Sequence, residues 1–169
     1  MRRGMTRTEL VVVVLLIAVV AAMMMGWVAR YRRAQETARQ ASCASNLRQI
    51  GLALKAYATD YDDLLPLSQD ARQMQVALDP YLRNQSLFCC PSDPASLAAA
   101  RAYRARVWAH LPPPPRTFPA IPGFEWNPAL AGRDTTKVPA STWAVRDRLP
   151  WHNGHWNVLF VGGTVRQGL

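Results

Sequence analysis

Residues 4–29 read GMTRTELVVVVLLIAVVAAMMMGWVA, and this stretch decides the fold. Leu10 to Ala29 carry no charge at all. An apolar run of about 20 residues is what an α-helix needs to cross a hydrocarbon core about 30 Å thick. Glu9 stands at the start of the run, where an ionisable group is costly and marks a function with a specific partner. A secretory signal would have an apolar region of about 7–15 residues, shorter than this one, although Val20-Ala21-Ala22 offers small residues for such a cut. A plain membrane anchor would have no use for Glu9. Arginine counting does not set the orientation, because Arg2, Arg3 and Arg7 on one flank are matched by Arg30, Arg32 and Arg33 on the other.

Beyond Ala29 the pattern remains helical. Small or apolar residues recur at Ala34, Thr37/Ala38, Ala41, Ala44, Leu47, Ile50/Gly51, Leu54, Tyr57/Ala58 and Tyr61. Steps of three and four put them on one face. No proline interrupts residues 5–65, and Asp60, Asp62, Asp63 and Pro66 mark the exit. A single helix from Met5 to Asp60 is expected. Its first half would be transmembrane, and its amphipathic continuation would lie against a globular domain.

The segment GMTRTELVVVVLLIAVVAA resembles the cleavage and methylation segment of type IV prepilins and type II secretion pseudopilins. Met5 stands where that family most often has Phe, and Arg7 and Thr8 replace apolar residues. The resemblance implies that a membrane prepilin peptidase cuts between Gly4 and Met5 and that Met5 is then N-methylated. It also implies that Glu9 neutralises the amino terminus of a neighbouring subunit in a helical filament. A second segment, CASNLRQIGLALKAYATDYDDLLP, resembles the helix of a large bacterial subfamily of pilin-like proteins. The matching positions are Cys43, Asn46, Leu47, Gln49, Ile50, Gly51, Tyr57, Asp60 and Tyr61. The stretch from Phe88 through Cys90 and Pro91 to Asp93 resembles the same subfamily, as do His152, Gly154, Asn157, Phe160, Val161 and Gly163 near the end. There Gly162 and Thr164 replace an Asp and a His that recur in the subfamily. Cys43 and Cys90 are the positions matching its two cysteines, and Cys89 is extra. The resemblance thus implies a Cys43–Cys90 disulfide, a crosslink that stabilises by about 4 kcal/mol in the chain-entropy model.

The remaining sequence predicts a small domain. Ser68 to Leu78 reads as a short helix capped by Ser68 or Asp70, and Asp79-Pro80 as a further turn. Strands are expected at Tyr103–His110, Thr142–Arg146, Trp156–Val161 and Thr164–Gln167. Gly162-Gly163 would form a two-residue hairpin between the last two. The chain has 13 prolines, most of them after residue 111, so residues 111–140 read as a surface loop. The expected class is α+β and pilin-like: a long N-terminal helix packed on a small antiparallel β-sheet. Its parts would be a leader (1–4), an assembly helix (5–30), its continuation (31–61) and an extracytoplasmic domain (62–169).

No nucleophile, base and orienting group can be assembled from these motifs, so no enzyme is expected, and no cofactor. No four-ligand spacing of a structural zinc site occurs, and His152 and His155 lie in a glycine-containing loop without fixed geometry, so no metal is expected either. The formal charge is +9. A basic surface can attract nucleic acid or anionic lipid. Arg101, Arg104 and Arg106 with Tyr103 and Trp108 form the best candidate nucleic-acid patch, although a solvated strand with core aromatics accounts for the same residues. The reading is a structural pilin-like or pseudopilin subunit of a type IV pilus or type II secretion-type filament. It would sit in the bacterial inner membrane as a single-pass protein, with the peptidase and other subunits as partners. Two alternatives stand beside it, a DNA-capturing minor pilin and a membrane-anchored surface protein that never polymerises.

Overall fold

A computed structural model describes residues 7–82, 84–95, 98, 101, 105, 123–150, 152 and 154–168. The chain divides into two units, residues 1–37 and residues 38–169. Helix α1 spans Arg7–Asp60, as the period of three and four and the absence of proline required. In the first unit its apolar side chains are exposed throughout, from Leu10 to Tyr31. An 18-residue window of this helix has a mean hydropathy of 2.8 and is 0% buried. Such a surface is long and apolar enough to cross a membrane, and soluble monomers rarely expose apolar patches of this extent.

In the second unit the same helix becomes amphipathic. Cys43, Leu47, Ile50, Ala53, Leu54 and Ala58 are buried, while Arg48, Leu52 and Lys55 face out. Spacings of three and four between Cys43, Leu47, Ile50 and Leu54 make one continuous stripe. The helix ends with a bond from Asp63 N–H to the Ala58 carbonyl at 2.8 Å. Asp62 and Asp63 there adopt φ of 51° and 61°, a left-handed conformation that short acidic side chains tolerate better than most. Tyr57 stacks on Tyr61 with ring centroids 4.2 Å apart. Edge-on to Tyr57 lies Tyr81, whose hydroxyl donates to Asp60 at 2.8 Å. That bond to a carboxylate pushes the phenol up to about 12.

Helix α2 is Ala71–Leu78, with Asp70 as its N-cap accepting from Gln73 N–H at 2.8 Å. Gln73 in turn accepts from Gln69 N–H at 2.8 Å, a reciprocal arrangement that satisfies two donors at the helix start. Asp79–Tyr81 forms a single 3-10 turn with Pro80 at its start.

Four antiparallel strands form one sheet in chain order: β1 (Phe124–Trp126), β2 (Trp143–Asp147), β3 (Trp156–Phe160) and β4 (Val165–Gly168). β1 corrects the sequence reading, which placed residues 111–140 in a surface loop. Phe124 and Trp126 are buried, and the Trp126 indole donates to the Ser68 carbonyl at 2.8 Å. At three residues, between Pro122 and Pro128, the strand is too short for its alternation to be read. The expected strand Tyr103–His110 lies outside the described residues except at Ala105, which is helical, as is Arg101.

The β3–β4 connection also differs. Phe160 N–H donates to Thr164 O at 2.9 Å and Gly163 N–H to Phe160 O at 2.8 Å, so three residues, not two, make the turn. Gly163 supplies the positive φ (81°) that closes such a turn with a bulge.

The core joins the α1 stripe to Phe124, Trp126, Ala144, Val145 and Leu159 of the sheet, with Met74, Leu78, Phe88 and Leu130 around them. Gly51 marks the closest approach of helix to sheet. A Cβ there would lie 2.9 Å from a Leu159 methyl, so the matched glycine is explained by packing. On the opposite face of the sheet, Arg146 donates to Glu125 at 2.8 Å and lies over the Trp143 and Trp156 rings at 4.6 and 5.1 Å. This lines the outer face with a charged, aromatic cluster.

Candidate functional site

Gly4 and Met5 lie outside the described residues. Glu9 sits in the first turn of α1 on an exposed surface. Of the candidate nucleic-acid patch, Arg101 is helical and exposed, and Tyr103, Arg104, Arg106 and Trp108 lie outside the described residues. The patch is therefore not assembled among the described residues.

A different constellation is. Cys43, Cys90, Asp147 and His152 are all buried, and one ligating atom from each lies within 4.8 Å of the others. Each comes from its own part of the fold. Cys43 is the first buried residue of the α1 stripe. Cys90 follows a short 3-10 helix, Gln85–Phe88, and is held by a turn in which Asp93 N–H donates to the Cys90 carbonyl at 3.1 Å. The Asn46 side chain, one turn along α1 from Cys43, donates to the Cys89 carbonyl at 3.2 Å and fixes that loop on the helix.

Asp147 ends β2. The register of β2 on β3 shifts between Trp143 and Val145, a bulge after which Val145 and Asp147 share the inward face. His152 belongs to a tight turn with His155, whose N–H donates to the His152 carbonyl at 3.1 Å. Gly154 allows that turn through a φ of 86°.

Within the cluster the Cys43 thiol faces Cys90 Sγ at 2.9 Å and Asp147 Oδ1 at 3.0 Å. His152 Nε2 lies 3.5 Å from Cys90 Sγ and 3.6 Å from Asp147 Oδ2. On the other side of the ring, Nδ1 is 3.4 Å from Ser92 Oγ. Asp147 Oδ2 also accepts from Asn157 N–H at 2.7 Å.

The bond from Cys43 draws the Cys90 thiol down to about 6, against the upward push of burial, with His152 helping to lower it. Cys43 moves the opposite way, held protonated by Cys90 and by burial. Burial also raises the Asp147 carboxyl above its usual range, partly offset by the Cys43 and Asn157 bonds.

The sequence reading matched Cys43 with Cys90, and the fold brings these two sulfurs together. Both are thiols in this structure. Cys89 is buried and belongs to no cluster of metal-ligating groups among the described residues. Asp147 was not among the residues singled out from sequence, and no spacing signal could have found it.

Cys90 and Asp147 both face the same nitrogen, His152 Nε2. Four buried groups converging on one point are suited to holding a cation.

Residues 32–79 match the model of a family described as "Protein of unknown function (DUF1559)", a family of pilin-like, prepilin-type proteins. The matched segment covers the second half of α1 through α2, the part of the chain that carries Cys43 and the buried stripe. Comparison with curated proteins and with solved structures gives no match.

Proposed function

We propose that this chain is a pilin-like structural subunit, held in the bacterial inner membrane by the apolar half of α1 and then built into a type IV pilus or type II secretion-type filament. One observation carries the reading. A single helix, Arg7–Asp60, carries an uncharged, exposed apolar run from Leu10 to Ala29 and forms the core stripe of a small α+β domain along its second part. An exposed apolar helix of that length is stable only in lipid or against other apolar helices. The similarity of residues 32–79 to a pilin-like family points the same way.

On this reading the work is mechanical. Prepilin peptidase cuts between Gly4 and Met5, Met5 is methylated, and Glu9 meets the amino terminus of the next subunit during assembly. Intact mass measurement of the mature chain from its own host tests the processing. The expected chain begins at a methylated Met5. A chain beginning at Met1 would make it a simple anchor, and one beginning at Met23 an ordinary secreted protein.

A further inference from the structure

We propose that Cys43, Cys90, Asp147 and His152 are the four ligands of a structural zinc ion that clamps α1 to the sheet. The contacts within the cluster are short: 2.9 Å from sulfur to sulfur, 3.0 Å from Cys43 to Asp147 Oδ1, 3.5 Å from His152 Nε2 to Cys90, and 3.6 Å from His152 Nε2 to the other carboxylate oxygen, Asp147 Oδ2. With bonds of about 2.0–2.3 Å, a tetrahedral zinc sets its ligand atoms roughly 3.3–3.8 Å apart. The two histidine contacts already fall in that range, and the shorter contacts of Cys43 with Cys90 and Asp147 need to open by less than about 1 Å.

The crowding of ligating groups argues for a cation. Cys90 Sγ and Asp147 Oδ1 both lie within 3.0 Å of the Cys43 sulfur. Asp147 has side-chain exposure of 0%, as does His152. A buried carboxylate packed against two sulfurs is stabilised by a central positive charge.

The surrounding groups orient the ligands as a metal requires. Ser92 Oγ lies 3.4 Å from His152 Nδ1; in the tautomer protonated at Nδ1 it accepts that N–H and the Nε2 lone pair is free for a metal. The Asn157 backbone N–H occupies the second lone pair of Asp147 Oδ2. Two thiolates and an imidazole select against the hard cations magnesium and calcium, and a donor set mixing sulfur, nitrogen and one carboxylate suits zinc.

A Cys43–Cys90 disulfide would consume the same sulfurs. It would leave Asp147 buried without its thiol donor and His152 Nε2 facing an inert sulfur. The zinc site uses all four groups at once.

The test uses the full chain in detergent, purified under reductant, stripped with chelator and titrated with Co(II) alone. One equivalent should bind per chain with the intense absorption of tetrahedral cobalt and a thiolate charge-transfer band, both abolished by adding Zn(II). Cys43→Ser should weaken uptake by more than about 100-fold, since even outer-shell changes cost 10–100-fold. His152→Cys, which keeps a donor at that position, should retain one equivalent and shift the charge-transfer band. Chain isolated without reductant should contain zinc and two thiols at Cys43 and Cys90. The proposal is overturned by a weak octahedral cobalt spectrum, by loss of uptake in a folded His152→Cys chain, or by recovery of the native chain as a metal-free Cys43–Cys90 disulfide.

Discussion

Glu9→Ala is expected to leave membrane insertion and leader cleavage intact while abolishing incorporation into filaments. An ionised carboxylate at the start of an apolar helix costs about 2.5–3.5 kcal/mol or more to hold at membrane depth unless a positive charge meets it. In the proposed filament the amine of Met5 on a neighbouring subunit is that charge. Removing the acid strands the amine in a low-dielectric interface, and breaking a buried pair in this way costs about 3–5 kcal/mol per contact. Repeated at every subunit, that penalty exceeds what a helical assembly can absorb. The comparison to make is the ratio of variant to wild-type chain in the sheared filament fraction, with the cleaved chain in the membrane as control. Filaments carrying the variant at wild-type density would remove Glu9 from the assembly mechanism.

Trp126→Ala should unfold the globular unit without disturbing the apolar part of α1. The indole is buried in the same core cluster as the α1 stripe, and its N–H satisfies the Ser68 carbonyl at 2.8 Å. Truncating a buried Trp to Ala typically costs about 3–5 kcal/mol, and an orphaned buried carbonyl adds to that. Total stabilities of single domains are about 5–15 kcal/mol, so most of the margin is lost. Hydrogen exchange of the full chain in detergent reads this directly. Amides of β2 and β3 should exchange at least about 100-fold faster, while amides between Leu10 and Ala29 keep their protection. An unchanged rate in β2 and β3 would mean that Trp126 is not part of the cooperative core.

The helix was legible because its signals are redundant. The uncharged run, the period of three and four from Leu47 to Ala58, and the delay of the first proline to Pro66 all agree. β3 and β4 were legible from alternation around Gly162-Gly163, though the turn is one residue longer because Gly163 takes the left-handed position. β1 was not legible, since Phe124-Glu125-Trp126 is too short to show a period and lies among prolines that dominate its neighbourhood. Its burial comes entirely from long-range contacts with β2 and with Ser68.

The cluster was half legible. Cys43, Cys90 and His152 stood out by resemblance to a subfamily. Their convergence with Asp147 depends on two features that leave no trace in local pattern: the bulge that turns Asp147 inward, and the tight His152–His155 turn. Ligands spaced 47, 57 and 5 residues apart on separate elements have no spacing signature to read. A pairing that resembles a disulfide in one dimension becomes one edge of a four-cornered site in three.

A filament subunit must have other copies of itself around the apolar half of α1. A photoreactive amino acid placed at Val14 of the full chain, in cells that make the filament, reports this directly. Irradiation should give a ladder of covalent multimers joined through that position, because copies pack around each other's helices. Adducts to lipid alone, with the chain otherwise monomeric under every growth condition in which it is processed, would contradict it.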